Sequence, residues 1–555
     1  MNANLRLEPE EKALVWGLPA ITVLVWTAST MDPVNLPKML LLASVAFALI
    51  PIIFLKLRFS KGLLSNKFVL IHIFLILWVL LVTVASKTNS LQSFFGVTGR
   101  YTGALTYLSF SLVALGVFVL SNKELNRRLL IGLGVSGVIN LIYCGLVIIT
   151  GKDPIAWNNT YGNILGTFGN PNFISSFLGI FNILIVSFII SKPFSKPLFA
   201  AGLAILATSV WEIFDSQSRQ GLIVTLVGSG AVILYRIVKS ELRVFLKTTA
   251  GIIYFGSGVL ALLGMLQIGP LTQYIYKLSL SIRAAYWRAG WETMLQNPSL
   301  GVGPDSFGDW YTRVRDSRAI VVPGLDVFTN SPHNVFIEQG ANGGIPLFIA
   351  YLILQLYILY CGFQYIRLSN GFDYVFAASF FGWLGFTAQS LISINQIGLA
   401  IWGYALGGMT VGIYHNSRID LKPLTNSPKS RKLGKGEFGF LRVIVGAVVG
   451  LLIAVPPFYA DAKWRSALTS TKLDQILKAA PQWPQSTDRY IEVSKTLFKN
   501  GYNKETLDFV RKGIEFNSGN VRLWYFLYQI PESSQSEKDL AIERLKILDP
   551  NLKIK

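Results

Sequence analysis

The chain has 555 residues, of which 52% are hydrophobic and 14% charged, and its mean hydropathy is +0.47. Soluble globular chains carry about 25% charged residues, so this composition excludes an ordinary soluble protein. The net charge of +20 would suggest nucleic acid in a soluble chain. Here the excess lies in short loops beside apolar runs, so we predict no nucleic-acid partner. Cys144 and Cys361 lie in or beside apolar runs, which argues against a disulfide framework or a cysteine metal site.

Apolar runs long enough to cross a bilayer recur along the chain. They predict an all-α, polytopic transmembrane protein with about 12–13 spans. The predicted spans are 13–30, 39–55, 68–86, 104–121, 129–150, 172–190, 198–213, 221–235, 249–268, 343–365, 372–393, 397–414 and 443–460. The first run follows Glu8, Glu10 and Glu11 and lacks a basic leader, so we interpret it as a retained span and not a signal peptide.

Basic residues alternate between successive loops. One set of loops carries Lys56, Arg58, Lys61, Lys67, Lys123, Arg127, Arg128, Lys192, Lys196, Arg236, Lys239, Arg243, Lys247, Arg367 and a dense run over 418–442. The opposite short loops hold only Lys38, Lys87, Arg100, Lys152 and Arg219. Because basic loops stay in the cytoplasm, the N-terminus is predicted inside and the sparse loops outside. With thirteen spans the C-terminal tail would also lie outside, a conclusion that rests on the parity of the count.

Two stretches are too polar to span the membrane. The predicted organisation is a transmembrane core (1–414) with a long external loop (269–342), a basic cytoplasmic loop (415–442), an additional span (443–460) and a helical tail (461–555). Amphipathic helices are predicted in the tail at Thr487–Asn500, Lys504–Asn517, Val521–Ile530 and Glu537–Leu548. Their spacing of about 34 residues resembles tetratricopeptide-like pairs, with a plain helical bundle as the alternative. The tail is expected to pack on the external face.

The predicted spans contain almost no ionisable side chains. His72 lies mid-span, and His415 lies at a cytoplasmic end. We interpret His72 as a packed and hydrogen-bonded side chain, the more common role of a lone histidine in a span. No relay of acidic residues and histidines crosses the membrane. A proton-coupled transporter is therefore disfavoured. The ionisable residues collect instead in the external loops.

Two arginines stand out in these loops. Arg219 lies in the short connection 215–221, where a planar guanidinium at the membrane boundary could bind a phosphate. The alternative is an interfacial arginine that extends its charge into the headgroup region. In the long loop, Arg283, Trp287 and Trp291 share one face of a predicted helix. Tryptophans are typical of membrane interfaces, but this does not explain Arg283 on the same face.

A histidine lies near the end of the long loop, in the sequence Asn330-Ser331-Pro332-His333-Asn334. Ser331 is predicted as a helix N-cap and Pro332 as the first helical residue, which puts His333 in the first turn. The partial positive charge of a helix N-terminus disfavours imidazolium, so His333 is expected to be neutral and able to accept a proton. Together with the arginines, it suggests transfer from a phosphorylated lipid donor.

These elements, in this order, resemble the bacterial O-antigen ligase/polymerase superfamily. The resemblance rests on Ser-x-Ser-Arg-x-Gly at 216–221, Arg-x-x-x-Trp followed by Asn-Pro-x-x-Gly-x-Gly within 283–303, and Pro-His-Asn at 332–334, and it covers about 13–414. The additional span and the tail lie outside the shared core.

The resemblance implies a metal-independent glycan transferase without a cofactor. Its donor would be a glycan on undecaprenyl diphosphate, and its acceptor a hydroxyl on a lipid, a growing glycan or a protein, at the outer face of the bacterial cytoplasmic membrane. By motif, Arg219 and Arg283 would hold the diphosphate and His333 would be the general base. Weaker assignments of substrate-binding roles are Arg288, Arg100, Asn334 and Trp287. The tail slightly favours a ligase or protein glycosyltransferase over a polymerase, and a flippase or a structural scaffold is the alternative from another class.

Overall fold

The computed structural model describes residues 7–60, 62–85, 88–155, 157, 159–191, 195–275, 278–420 and 438–552. All regular secondary structure in these ranges is helical, which confirms the predicted all-α class. Most of the predicted basic loop, at 421–437, lies outside the described residues.

A helix stands at the place of every predicted span. These helices are Pro9–Val23, Asn35–Phe59, Lys67–Ala85, Ala104–Leu120, Lys123–Thr150, Pro171–Ile189, Lys196–Asp215, Arg219–Val238, Val244–Met265, Val335–Leu368, Tyr374–Ser390, Ile397–Asp420 and Phe438–Ser470. Among the described residues, ten helices are long and apolar enough to cross a membrane. Pro9–Val23, Ala104–Leu120 and Tyr374–Ser390 are shorter, at 15, 17 and 17 residues. The protein is thus a polytopic helical membrane protein.

The helices differ in how deeply they lie in the bundle. The apolar stretch of Ile397–Asp420 is 94% buried inside the protein, whereas that of Val244–Met265 is only 6% buried. At the centre, Trp402 is fully buried and its indole N–H donates to the Thr22 hydroxyl at 2.7 Å. The central helix therefore packs on protein on all sides, and the peripheral helix presents its apolar surface outward.

The connections that follow odd-numbered spans meet on one face of the bundle. The Asn35 amide donates to the Gly99 carbonyl at 2.7 Å and accepts from the Gln396 amide at 3.0 Å. The carboxylate of Asp461 accepts from the backbone N–H of Met31 at 2.6 Å. We call this side of the bundle the tail face, because the C-terminal tail lies on it. These contacts agree with the predicted alternation of the loops.

The tail consists of short helices that pack in succession. Their bounds are Leu473–Ala479, Thr487–Lys499, Asn503–Phe516, Val521–Gln529 and Gln535–Leu548. The last four lie where the amphipathic pattern predicts them, whereas Leu473–Ala479 was not predicted. The boundary predicted at 460/461 is not a structural break, because the helix Phe438–Ser470 continues through it. The additional span and the tail are thus one continuous element at their junction.

The tail is attached to the long loop by buried polar contacts. Arg315 of the loop pairs with Asp549 at 2.6 Å, and both side chains are buried. Asp309 accepts from the amides of Asn517 at 2.9 Å and Asn520 at 2.8 Å. The Thr312 hydroxyl donates to the Leu548 carbonyl at 2.8 Å. These contacts hold the tail against the long loop.

The helix Val335–Leu368 is interrupted at Gly343 and Gly344. Gly344 has a φ of +71°, and a Cβ atom there would lie 2.5 Å from the Pro298 carbonyl oxygen. Both conditions require glycine. The Ile345 N–H donates to that same carbonyl at 2.8 Å, so the interruption fixes the turn after the helix Leu278–Gln296 against the start of a span.

The orientation of the bundle can be measured by cysteine labelling. Both native cysteines are buried, so a single introduced cysteine reports its own position. We expect Asn500→Cys, in the tail, to react with a membrane-impermeant maleimide in intact spheroplasts. Glu241→Cys, in an exposed loop of the opposite face, should react only after permeabilisation. The reverse pattern would contradict the predicted orientation.

Candidate active site

His333 lies just before the helix Val335–Leu368 and not in its first turn. The N-cap is Asn334, whose side chain accepts from the Ile337 N–H at 3.1 Å, so the predicted capping role of Ser331 and the helical position of Pro332 are wrong. His333 has a φ of +54°, a left-handed conformation that non-glycine residues rarely adopt. Such backbone strain persists only where surrounding contacts enforce it, and it is concentrated at functional sites.

The contacts of His333 define the state of its imidazole ring. Nδ1 lies 3.0 Å from the Ser331 carbonyl oxygen, which can only accept, so Nδ1 carries the proton and Nε2 presents a lone pair. Burial lowers the pKa of His333 to about 4, the hydrogen bond to Ser331 opposes this, and the charges of Arg283 and Arg100 lower it further. The ring is therefore neutral near pH 7. The sequence also predicts a neutral His333, but it attributes this to a helix N-terminus. In the structure the causes are burial and the charges of Arg283 and Arg100.

The backbone of His333 is held by the helix Leu278–Gln296. The Trp287 indole N–H donates to the His333 carbonyl at 3.2 Å, and the Tyr286 ring lies 5.4 Å from the imidazole between centroids. Gly290 allows this approach, because a Cβ atom there would lie 2.8 Å from Pro332 Cβ. Trp287 thus contacts the histidine's own backbone.

Arg283 extends from the same helix toward the short connection that contains Arg219. With the Gln220 amide oriented to satisfy its neighbours, its oxygen accepts from both terminal nitrogens of Arg283, at 3.2 and 3.1 Å. Burial lowers the pKa of Arg283. Among the described residues no carboxylate pairs with it. A partly buried guanidinium held by a neutral amide can accept an anionic ligand without first losing an ion pair.

Arg219 is the first residue of the helix Arg219–Val238, and Ser218 is its N-cap. Arg219 is partly buried, and it directly precedes the glutamine that holds Arg283. The connection after span 7 and the helix of the long loop therefore meet here. The N-terminus of the Arg219 helix adds partial positive charge to the same place.

Arg100 is bound by carboxylates. Its guanidinium lies 2.5 Å from Glu338 and 3.4 Å from Asp305, and it donates to the Asn330 carbonyl at 2.6 Å. Asp305 also accepts from the Val97 N–H at 2.8 Å. Arg100 therefore links three segments around His333, and its charge is already neutralised. This arrangement does not favour the direct anion binding predicted for it.

The other predicted substrate-binding residues have structural contacts. Arg288 is exposed and pairs with Asp316 at 2.8 Å. Asn334 uses its side chain as the helix cap. Trp287 binds the His333 carbonyl. The contacts of Asn334 and Trp287 indicate positioning of the segment that bears His333, whereas the ion pair of Arg288 does not involve that segment.

Several site residues were not predicted from the sequence. Gln220 and Glu338 lie within the motif region but were not singled out, and Ser331 acts through its backbone carbonyl. Asp305 follows the glycine-proline turn and has a φ of +54°. An acidic residue next to such a turn was a signal that could have drawn attention to it.

The assembled groups are a neutral imidazole with an open Nε2, a guanidinium without a carboxylate partner and a helix N-terminus. They suit proton removal beside an anionic group. In the part of the chain that the structure describes, no group of three or more His, Cys, Asp or Glu side chains is placed to hold a metal ion.

Comparison with known families gives one match at this site. Residues 203–352 match a family model described as O-antigen ligase. Over this range the chain is similar to the O-antigen ligases. The matched segment contains Arg219, Arg283 and His333, and it supports a membrane glycan transferase of the O-antigen ligase or polymerase type. A comparison with curated proteins gives no match.

Proposed function

We propose that this protein transfers an oligo- or polysaccharide from undecaprenyl diphosphate to an acceptor hydroxyl, without a metal ion, at the outer face of the bacterial cytoplasmic membrane. The family match supports the class of reaction. The donor, the acceptor and the absence of a metal requirement are part of the proposal.

One observation carries it: Arg283, held by Gln220 and without a carboxylate partner among the described residues, belongs to the same site as the neutral His333. Removing a guanidinium from water without a counter-anion costs several kcal/mol, which a bound diphosphate would offset. The helix Leu278–Gln296 contributes both Arg283 and the tryptophan that holds the histidine backbone. The site therefore pairs an anion-binding group with a base.

The proposed reaction is a single displacement at the anomeric carbon of the donor. Nε2 of His333 takes the proton of the acceptor hydroxyl as its oxygen attacks. A new bond forms between this oxygen and the anomeric carbon, and the bond from that carbon to the diphosphate oxygen breaks. The electron pair leaves with undecaprenyl diphosphate, whose developing charge Arg283 and Arg219 stabilise. Arg100, Asn334 and Trp287 keep the histidine segment in place.

The proposal is tested by product release. Purified protein in liposomes, given an undecaprenyl-diphosphate glycan and membrane extract as the source of acceptor, should release undecaprenyl diphosphate, detected by mass spectrometry. The release should persist in EDTA, and release without the extract would identify the growing glycan on its own carrier as the acceptor. Translocation without cleavage would instead support the flippase alternative. A rate restored only by divalent metal after EDTA treatment would contradict the metal-free mechanism.

Three acceptors remain within this proposal: a lipid-anchored sugar, the growing glycan and a protein hydroxyl. The tail slightly favours a ligase or protein glycosyltransferase, because its position on the tail face allows it to contact a large acceptor. Fractionating the labelled product into lipid, polysaccharide and protein distinguishes these cases.

A further inference from the structure

A cleft with an internal volume of about 170 Å³ lies between the tail and the loops of the transmembrane core. One wall comes from residues 91–101 and from the long loop, and the other from tail residues 484–492 and 520–522. Pro457, Asp461 and Trp464 of the helix Phe438–Ser470 also line it. None of the sequence motifs points to this space, and it exists only because the tail packs on the tail face.

The cleft carries aromatic surface beside polar groups. Phe328 of the long loop is 45% exposed, and the guanidinium of Arg522 lies over its ring at 5.7 Å. Arg522 also pairs with Asp488 at 3.2 Å, on the tail side. Trp464 and Gln485 contribute to the lining. The two walls therefore meet at a ring, a guanidinium and a carboxylate.

The charges in the lining restrict the kind of ligand. They are four carboxylates and two guanidinium groups, from Asp309, Asp461, Asp488, Glu492, Arg489 and Arg522. Arg489 already donates to the backbone carbonyl of Gln482 at 2.9 Å. The excess of carboxylates disfavours a phosphorylated headgroup or another anion. Hydroxyl groups, in contrast, can donate to carboxylates and accept from a guanidinium.

One lining residue of the cleft belongs to the segment that bears His333. Asn330 lines it, and the Asn330 carbonyl accepts from Arg100, which bridges to Glu338. Asn330 is only three positions before His333 in the sequence. The cleft and the proposed base therefore adjoin the same short segment of the long loop, 330–333.

We propose that this cleft binds an uncharged glycan chain whose end reaches the His333 site. Sugars present apolar C–H faces, which pack on aromatic rings, and hydroxyl groups, which need carboxylate, amide and guanidinium partners. The cleft offers both kinds of surface in one lining. The inference rests on the proposed function for the direction of the chain, but the binding itself can be measured without turnover.

Photo-crosslinking in the full-length protein tests the occupant. With p-benzoylphenylalanine at position 328, irradiation of intact cells should give an adduct that contains sugar after acid hydrolysis and resists proteinase. The same residue at exposed Tyr502, in the tail but outside the cleft lining, is the control and should give none. A proteinase-sensitive adduct without sugar, or no adduct, would overturn the proposal.

Two further crosslinking experiments identify the source of the glycan and distinguish glycan binding from catalysis. In cells blocked in assembly of the lipid-linked donor, an adduct that persists identifies an acceptor chain, and one that disappears identifies the donor chain. Both results place a glycan in the cleft. Crosslinking in His333→Ala should be unchanged, so failure of the transferase proposal would show in product release and not in the adduct.

Kinetics provide an independent measurement. Phe328→Ala should raise KM for the glycan that occupies the cleft by about threefold to tenfold, with a smaller effect on kcat. Tyr502→Ala should change neither. Equal KM values for Phe328→Ala and the wild type would contradict a role of the cleft in binding.

Discussion

Replacing His333 by alanine should lower the release of undecaprenyl diphosphate by about 10²- to 10⁴-fold, the range expected for loss of a general base. The imidazole is neutral because burial lowers its pKa to about 4, and its Nδ1 is committed to the Ser331 carbonyl. Nε2 is thus the atom available for the acceptor proton. Donor binding, measured with undecaprenyl diphosphate, should remain, because Arg283 is untouched.

His415→Ala is the matched control, because His415 lies on the opposite face and packs against Phe118. It should retain wild-type turnover. Circular dichroism and gel filtration should show that both variants are folded. Wild-type turnover in folded His333→Ala would remove His333 from the mechanism.

The same pKa predicts the pH profile. A base with a pKa of about 4 is unprotonated at neutral pH and is lost only as the pH falls through that value. We therefore expect kcat/KM to stay level from about pH 8 to about pH 5 and to fall below that. If kcat/KM instead falls with an apparent pKa near 6.5, the ordinary histidine value, the imidazole ring is hydrated in the working enzyme.

The fold was largely predictable because bilayer crossing imposes a simple pattern on sequence. Each span needs a long apolar run, and each predicted span has a helix. The tail helices followed from amphipathic spacing. The continuity of Phe438–Ser470 was not predictable, because a helix that leaves the membrane loses its apolar character without ending.

The site was predictable only in part. Motifs singled out Arg219, Arg283 and His333, but partners such as Gln220 and Glu338 come from segments far apart in sequence. The sequence predicts the helix N-cap three residues too early, at Ser331 and not at Asn334, because Ser331-Pro332 is itself a good start signal. The left-handed His333 prevents the helix from beginning there, and no local propensity indicates that conformation.

Arg283→Ala should lower kcat/KM for the donor by about 10²- to 10³-fold, as expected for loss of a group that stabilises a leaving anion. Arg283→Lys should recover only part of this, because an ammonium cannot reproduce the planar two-nitrogen contact. Arg288→Ala is the matched control on the same helix, since Arg288 is exposed and paired with Asp316. Equal losses in both variants would mean that the helix, and not the guanidinium of Arg283, is required.

Gln220→Glu tests why Arg283 lacks a carboxylate partner. The substitution is nearly isosteric and converts the neutral contact at 3.1–3.2 Å into an ion pair. The new carboxylate would compete with the donor diphosphate for the same guanidinium, so the affinity for undecaprenyl diphosphate should fall at least tenfold, about 1.4 kcal/mol. Gln220→Leu removes the contact without adding charge and should bind the donor better than Gln220→Glu. If Gln220→Glu binds undecaprenyl diphosphate as tightly as the wild type, Arg283 does not hold the diphosphate. A second negative charge at hydrogen-bond distance would necessarily weaken the binding of an anion at Arg283.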